Sequence, residues 1–169
     1  MLDIISITLT LTAIAILLTL AVIDLRVRLL PNIAVLGLAL SGFAFHASTL
    51  FFYAPVQDLM VGAFIGGGTL YMIRLAGNMA YKSETLGLGD VKLMAAGGLW
   101  LGSYFILPAL IIGAIAGIIH GVLLMAIHRY KTKEFAAFST FSLPAGPGFA
   151  AGLFIAALAK FSGLPHLLP

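Results

Sequence analysis

Leu86-Gly87-Leu88-Gly89-Asp90-Val91-Lys92-Leu93-Met94 sets a carboxylate between glycines at the mouth of a long apolar run. From Leu93 to Ile127 there are 35 residues and no Asp, Glu, Lys or Arg. Such a run reads as membrane-embedded helix and decides the fold class, all-α. One straight helix of that length would reach about 52 Å, against roughly 30 Å for a bilayer core. It must therefore break, and Gly102-Ser103 or Pro108 is the expected place. A charge near membrane depth is costly, so Asp90 at its edge is a functional candidate. Gly87 and Gly89 are expected to let the backbone take positive φ and let another chain come close.

Composition agrees. The chain is 62% hydrophobic and 9% charged, with a mean hydropathy of +1.14. Soluble domains are about 45–50% apolar and about 25% charged. Residues 1–169 are expected to form a single polytopic helical bundle in the lipid bilayer, with about six transmembrane helices. The formal charge of +3 is too small and too scattered for a nucleic-acid partner. The absence of Cys excludes disulfides, thiol catalysis and Cys-based zinc sites. No metal or cofactor is expected. The start of the chain lacks a basic n-region and carries Asp3, so it reads as a retained helix rather than a signal peptide.

Upstream, Ile4 to Ile23 holds 20 residues without a charge, about 30 Å of helix. Its Ser and Thr can bond back to helix carbonyls. Asp24 to Asn32 is a polar break, with Pro31 placed to open the next helix. Further spans are expected at 33–54 and 59–73, and then a polar stretch from Arg74 to Asp90. The broken run at 93–127 supplies two spans, and 141–159 a sixth. Gly62/Gly66 and Gly113/Gly117/Gly121 have the spacing of helix-packing stripes. Eight of the nine basic residues fall in alternate connections, Lys160 being the exception. That asymmetry predicts Asp24 and Asp90 at one cytoplasmic face, with both termini outside.

Two stretches together resemble a known family. Leu86 to Gly102, LGLGDVKLMAAGGLWLG, is similar to the Gly-x-Gly-Asp motif of the type IV prepilin peptidases, which are membrane aspartic proteases. Asp24-Leu-Arg-Val-Arg-Leu-Leu-Pro-Asn32 is similar to their first motif. Glu84 matches an acid often found there. The resemblance implies a membrane aspartic endopeptidase in a bacterial inner membrane, with Asp24 and Asp90 catalytic, Gly87 and Gly89 as active-site backbone, and Glu84 and Lys92 as candidate substrate contacts. The implied substrates are prepilin or pseudopilin leader peptides, cut at the cytoplasmic face. Longer members carry a cysteine-bearing, zinc-binding insert and methylate the new N-terminus. This chain has neither cysteines nor insert and resembles the short peptidases of tight-adherence pili, so no methyltransferase activity is expected. Pro144-Ala145-Gly146-Pro147 lacks the aromatic residue the family commonly has after the first Pro.

Peptide hydrolysis needs an activated water and a proton donor for the carbonyl. Two close carboxylates can supply both, because like charges disfavour double ionisation and one proton is retained. The plainer readings are a helix cap or a headgroup-level charge for each acid, a snorkelling lysine for Lys92, topology determinants for Arg26 and Arg28, and packed, hydrogen-bonded side chains for His46 and His120. A transporter using Asp24 and Asp90 as a proton or cation relay is the rival class. An archaeal-type preflagellin peptidase would share the chemistry on another substrate.

Overall fold

A computed structural model describes residues 2–132 and 145–162. It contains five helices: α1 (Leu2–Val27), α2 (Asn32–Ser48), α3 (Val56–Tyr81), α4 (Leu88–Thr132) and α5 (Gly146–Phe161). Among the described residues there is no strand. Three stretches, Ile4–Val27, Val56–Tyr81 and Leu88–Ile127, are long and apolar enough to cross a membrane. α2 and α5 are shorter apolar helices. The all-helical class thus stands; against the six spans expected, three helices among the described residues are long and apolar enough to cross a membrane, and the boundaries move.

α1 runs through Asp24 and ends at Val27, and its hydroxyls turn inward as expected. Thr8, Thr10, Thr12 and Thr19 each donate to the carbonyl four residues back, at 2.7–2.9 Å. Pro31 and Pro55 occupy the N-cap positions of α2 and α3, where a missing N–H costs nothing. α2 ends at Ser48 rather than Ala54. α3 runs on to Tyr81, well past the expected end at Ile73, because the Arg74 charge has partners inside the protein. Only residues 82–87 separate α3 from α4. Lys133, Glu134 and Pro144, and the expected start of a span at 141, lie outside the described residues.

The long apolar run breaks at Gly102, one of the two expected places. Its φ of 71° with ψ of −177° is open essentially to glycine alone. The chain reverses there: Met94 and Ile106, on either side, both face Gly66 of α3. Gly62 meets the backbone of Gly98 and Gly102, so the packing stripe expected at Gly62/Gly66 is real. α5 lies antiparallel on the returning arm. Gly152 faces Ala109 and Gly113, and Gly148 faces Gly113 and Gly117. The core between these helices is closed by Leu20, Leu38, Leu93, Met94, Leu101 and Ile106.

A break in an embedded helix frees carbonyls and N–H groups that need partners. Asp58 accepts from the Ser103 N–H at 3.2 Å and from the Ser103 hydroxyl. Lys160 donates to the Trp100 and Leu101 carbonyls at 3.1 and 3.2 Å. His46 Nε2 lies 3.0 Å from the Trp100 carbonyl. Lys160, the exception to the basic asymmetry, is thus a helix-break cap. His46 is packed and hydrogen-bonded through Nε2. The buried Nδ1 of His46, like that of His120, has no hydrogen-bond partner among the described residues. This polar cluster lies at the opposite end of the bundle from Asp24 and Asp90.

Candidate active site

Asp24 lies in the last turn of α1 and is 6% exposed. The helix closes with the Arg28 N–H donating to the Asp24 carbonyl at 2.9 Å, Arg28 taking φ of 55°. A helix C-terminus is the wrong end for an acid, because the macrodipole is negative there. The helix-cap reading of Asp24 therefore fails. Its compensation comes from elsewhere in the chain. The Gly146 N–H, at the first position of α5, donates to Asp24 Oδ2 at 3.0 Å. The positive end of α5 thus faces the carboxylate. A side chain at Gly146 would put its Cβ 2.7 Å from that oxygen, so only glycine admits the contact.

Asp90 occupies the third position of α4 and is 7% exposed. A Cβ at Gly87 would lie 3.1 Å from Asp90 Oδ2, so that oxygen rests against the backbone just before α4. The third position of a helix is one that a capping acid occupies. Capping does not account for the whole side chain, because the buried Oδ1 has no hydrogen-bond partner among the described residues. A buried acceptor without a partner costs about 1–3 kcal/mol. Asp24 and Asp90 lie within electrostatic range of one another.

The glycines act differently from the sequence expectation. Neither Gly87 nor Gly89 has a positive φ; among the described residues Gly102 is the glycine that does. Gly89 works by close approach, but the partner is this chain. A Cβ there would lie 2.9 Å from the Leu30 Cβ, in the α1–α2 connection. That contact lets the connection carrying the first motif settle on the start of α4. Lys92 Nζ donates to Asn32 Oδ1 at 3.0 Å and ties the same two segments on the exposed side. Lys92 thus pairs within the protein while its side chain stays exposed.

Glu84 is likewise engaged. It is exposed, and Arg74 Nη2 donates to its Oε1 at 2.9 Å. Arg74 Nη1 donates to the Leu86 carbonyl. Asn78 Oδ1 accepts from the Thr85 N–H at 2.9 Å and from its hydroxyl at 3.1 Å. Residues 82–87 are thus pinned to the last turns of α3. Arg74 and Gly146 were missed in the sequence. The signal for Gly146 was its place between Ala145 and Pro147 at a helix start; for Arg74 it was a lone cation inside an otherwise apolar stretch. Among the described residues no three His, Asp or Glu side chains are grouped to hold a metal ion.

A profile described as the type IV leader peptidase family matches residues 11–122, which include both acids. The chain is 35% identical over 119 residues to a prepilin leader peptidase/N-methyltransferase of Dickeya chrysanthemi, covering 70% of this chain and 41% of that protein. It is 34% identical over 112 residues to the protein of that name in Escherichia coli strain K12, 66% of this chain and 49% of that one. To the Aeromonas salmonicida protein of the same name it is 32% identical over 142 residues, 84% of this chain and 46% of the relative. The chain therefore spans less than half the length of these relatives. No solved structure matches it.

Proposed function

The chain belongs to the type IV leader peptidase family, and from that premise we propose that it is a membrane aspartic endopeptidase whose catalytic pair is Asp24 and Asp90. The observation that carries the reading is a pair of buried carboxylates at one end of the bundle within electrostatic range of one another, Asp24 held by the Gly146 N–H and Asp90 resting against Gly87. The ionised member takes a proton from water, and the water oxygen attacks the scissile carbonyl carbon. The protonated member hydrogen-bonds the carbonyl oxygen as negative charge develops there. The C–N bond then breaks and the amine leaves with a proton from the pair. The two acids titrate as a unit, so the roles belong to the dyad. The unpartnered Oδ1 of Asp90 is the atom best suited to meet water or substrate.

The substrate class follows from the relatives' name: leader peptides of prepilin-like proteins. The exposed Arg26, Arg28, Lys82 and Lys92 surround the site end of the bundle, so that end faces the cytoplasm. The reversal at Gly102 supports six crossings of the inner membrane, α4 supplying two. A thiol introduced at Arg28 or Lys82 should then react with a membrane-impermeant reagent only after cells are opened, and labelling in intact cells would reverse the orientation. In this reading the reaction of these residues, which include no cysteine, is cleavage without methylation. Family membership favours this reading over an ion relay.

The test is incubation of the purified protein in liposomes with prepilin-type substrates and a methyl donor, read by mass spectrometry. A cut leader and an unmodified new N-terminus are expected. Failure to cut any of a panel of prepilins would sink the reading, and a methylated product would overturn its second half.

A further inference from the structure

Leu86 and Gly87 share one peptide unit, and it is engaged on both sides. Its carbonyl accepts from Arg74, and Asp90 Oδ2 rests against Gly87, where a Cβ would lie 3.1 Å from that oxygen. Arg74 is 9% exposed within α3. Burying a guanidinium is costly unless it is well paired. Glu84 does not supply that reason, because its side chain is 82% exposed, and solvent-facing ion pairs contribute little. Nor is Arg74 needed merely to hold the 82–87 connection. Asn78 holds it independently through both polar groups of Thr85. What Arg74 alone does is place a positive charge on the far side of the peptide against which Asp90 rests. A charged donor on a carbonyl makes a strong hydrogen bond, so Arg74 fixes that peptide and with it the surface that Asp90 Oδ2 meets.

We propose that Arg74 is a positioning residue for peptide cleavage. Acting through the Leu86–Gly87 peptide, it fixes one side of the Asp90 carboxylate and so leaves Oδ1 aimed at the reacting atoms. This rests on the Asp24/Asp90 reading above. Arg74 touches neither acid, and its effect appears in turnover rather than in substrate capture.

The experiment measures kcat and KM for leader cleavage in liposomes with Arg74→Met, Arg74→Gln, Arg74→Lys, Asn78→Ala and Asp90→Asn, alongside membrane abundance and thermal unfolding. Arg74→Met should lower kcat roughly tenfold to a hundredfold, the usual scale for a misplaced catalytic group, with KM unchanged. Arg74→Lys, which keeps a cationic donor, should recover most of the loss. Asn78→Ala should lower the unfolding temperature but leave kcat per folded molecule intact. If Arg74→Met does not accumulate, Arg74→Gln gives the same reading, since it keeps a donor for Leu86 without the charge. Three results overturn the proposal: normal kcat in both uncharged variants, a change confined to KM, or equal kcat losses in the Arg74 and Asn78 variants. Asp90→Asn separates the two layers. If it is inactive while the uncharged Arg74 variants are normal, only the positioning role fails; if it still cleaves, the dyad itself fails.

Discussion

The Gly146 N–H donates to Asp24 Oδ2 at 3.0 Å and joins the start of α5 to the end of α1 across 122 positions of sequence. The contact is the principal anchor of a buried acid, and it needs a bare Cα. Gly146→Ala would set a methyl 2.7 Å from Oδ2 and 2.9 Å from Cγ, so Asp24 must move. Displacements of this size in a catalytic group cost on the order of a hundredfold in rate. Cleavage by Gly146→Ala should fall by about that factor, at normal abundance in the membrane. A wild-type rate would show that the α5 contact is incidental.

The Gly89–Leu30 contact predicts a suppressor. Gly89→Ala brings its Cβ to 2.9 Å from the Leu30 Cβ and 3.1 Å from Cδ1, pushing the first motif away from α4. Cleavage should drop. Leu30→Gly removes every atom in conflict and should restore activity in the double variant beyond the product of the two single effects. Strict additivity in the measured rates would mean that the two segments do not communicate through this contact.

Much of this was legible in the sequence because charge is scarce in an apolar chain. Asp24 and Asp90 stood out for that reason, and so did the need for a break near Gly102. What escaped notice were pairings that sequence distance conceals. Arg74 looked like the end of a span, yet it continues α3 because Glu84 and Leu86 satisfy its guanidinium. The partners of Glu84 and Lys92, Arg74 and Asn32, lie 10 and 60 positions away from them. Gly89 was read as an opening for a substrate strand, whereas Leu30 fills that space. Periodicity reveals which face of a helix is apolar, but not which distant backbone group will answer a buried charge.

The Gly102 break makes a separable prediction about stability. Lys160→Met keeps the length and apolar stem of the side chain but withdraws the ammonium from the Trp100 and Leu101 carbonyls. The Trp100 carbonyl keeps His46 Nε2, while the Leu101 carbonyl, freed by the break, loses the side-chain donor that answers it. The loss should be about 2 kcal/mol, in the range for hydrogen bonds to a charged group. Thermal unfolding in detergent should shift down, while cleavage per folded molecule at low temperature persists. An unchanged unfolding midpoint would remove Lys160 from the account of the break.

The final prediction concerns the two acids as a unit. Asp24→Asn and Asp90→Asn each keep size and polarity but can serve neither as the base for water nor as the acid for the carbonyl. Either change should abolish leader cleavage. Because both acids act in the same step, the double variant should be scarcely worse than either single one; residues that work together are grossly non-additive in mutant kinetics. Folding should survive, since each change takes a potential charge out of a buried site rather than adding one. Asp90→Glu should also fail, for a geometric reason. The carboxylate rests against Gly87 just before α4, and an extra methylene drives it about 1 Å past its place, enough to cost on the order of a hundredfold. Asp24→Glu meets the same limit against Gly146, where the fit already excludes a methyl group. The assay is band shift of a prepilin substrate in liposomes, with the abundance of each variant checked by immunoblot. Substantial cleavage by either Asn variant at normal abundance, or multiplicative losses in the double variant, would mean that Asp24 and Asp90 do not share one catalytic step.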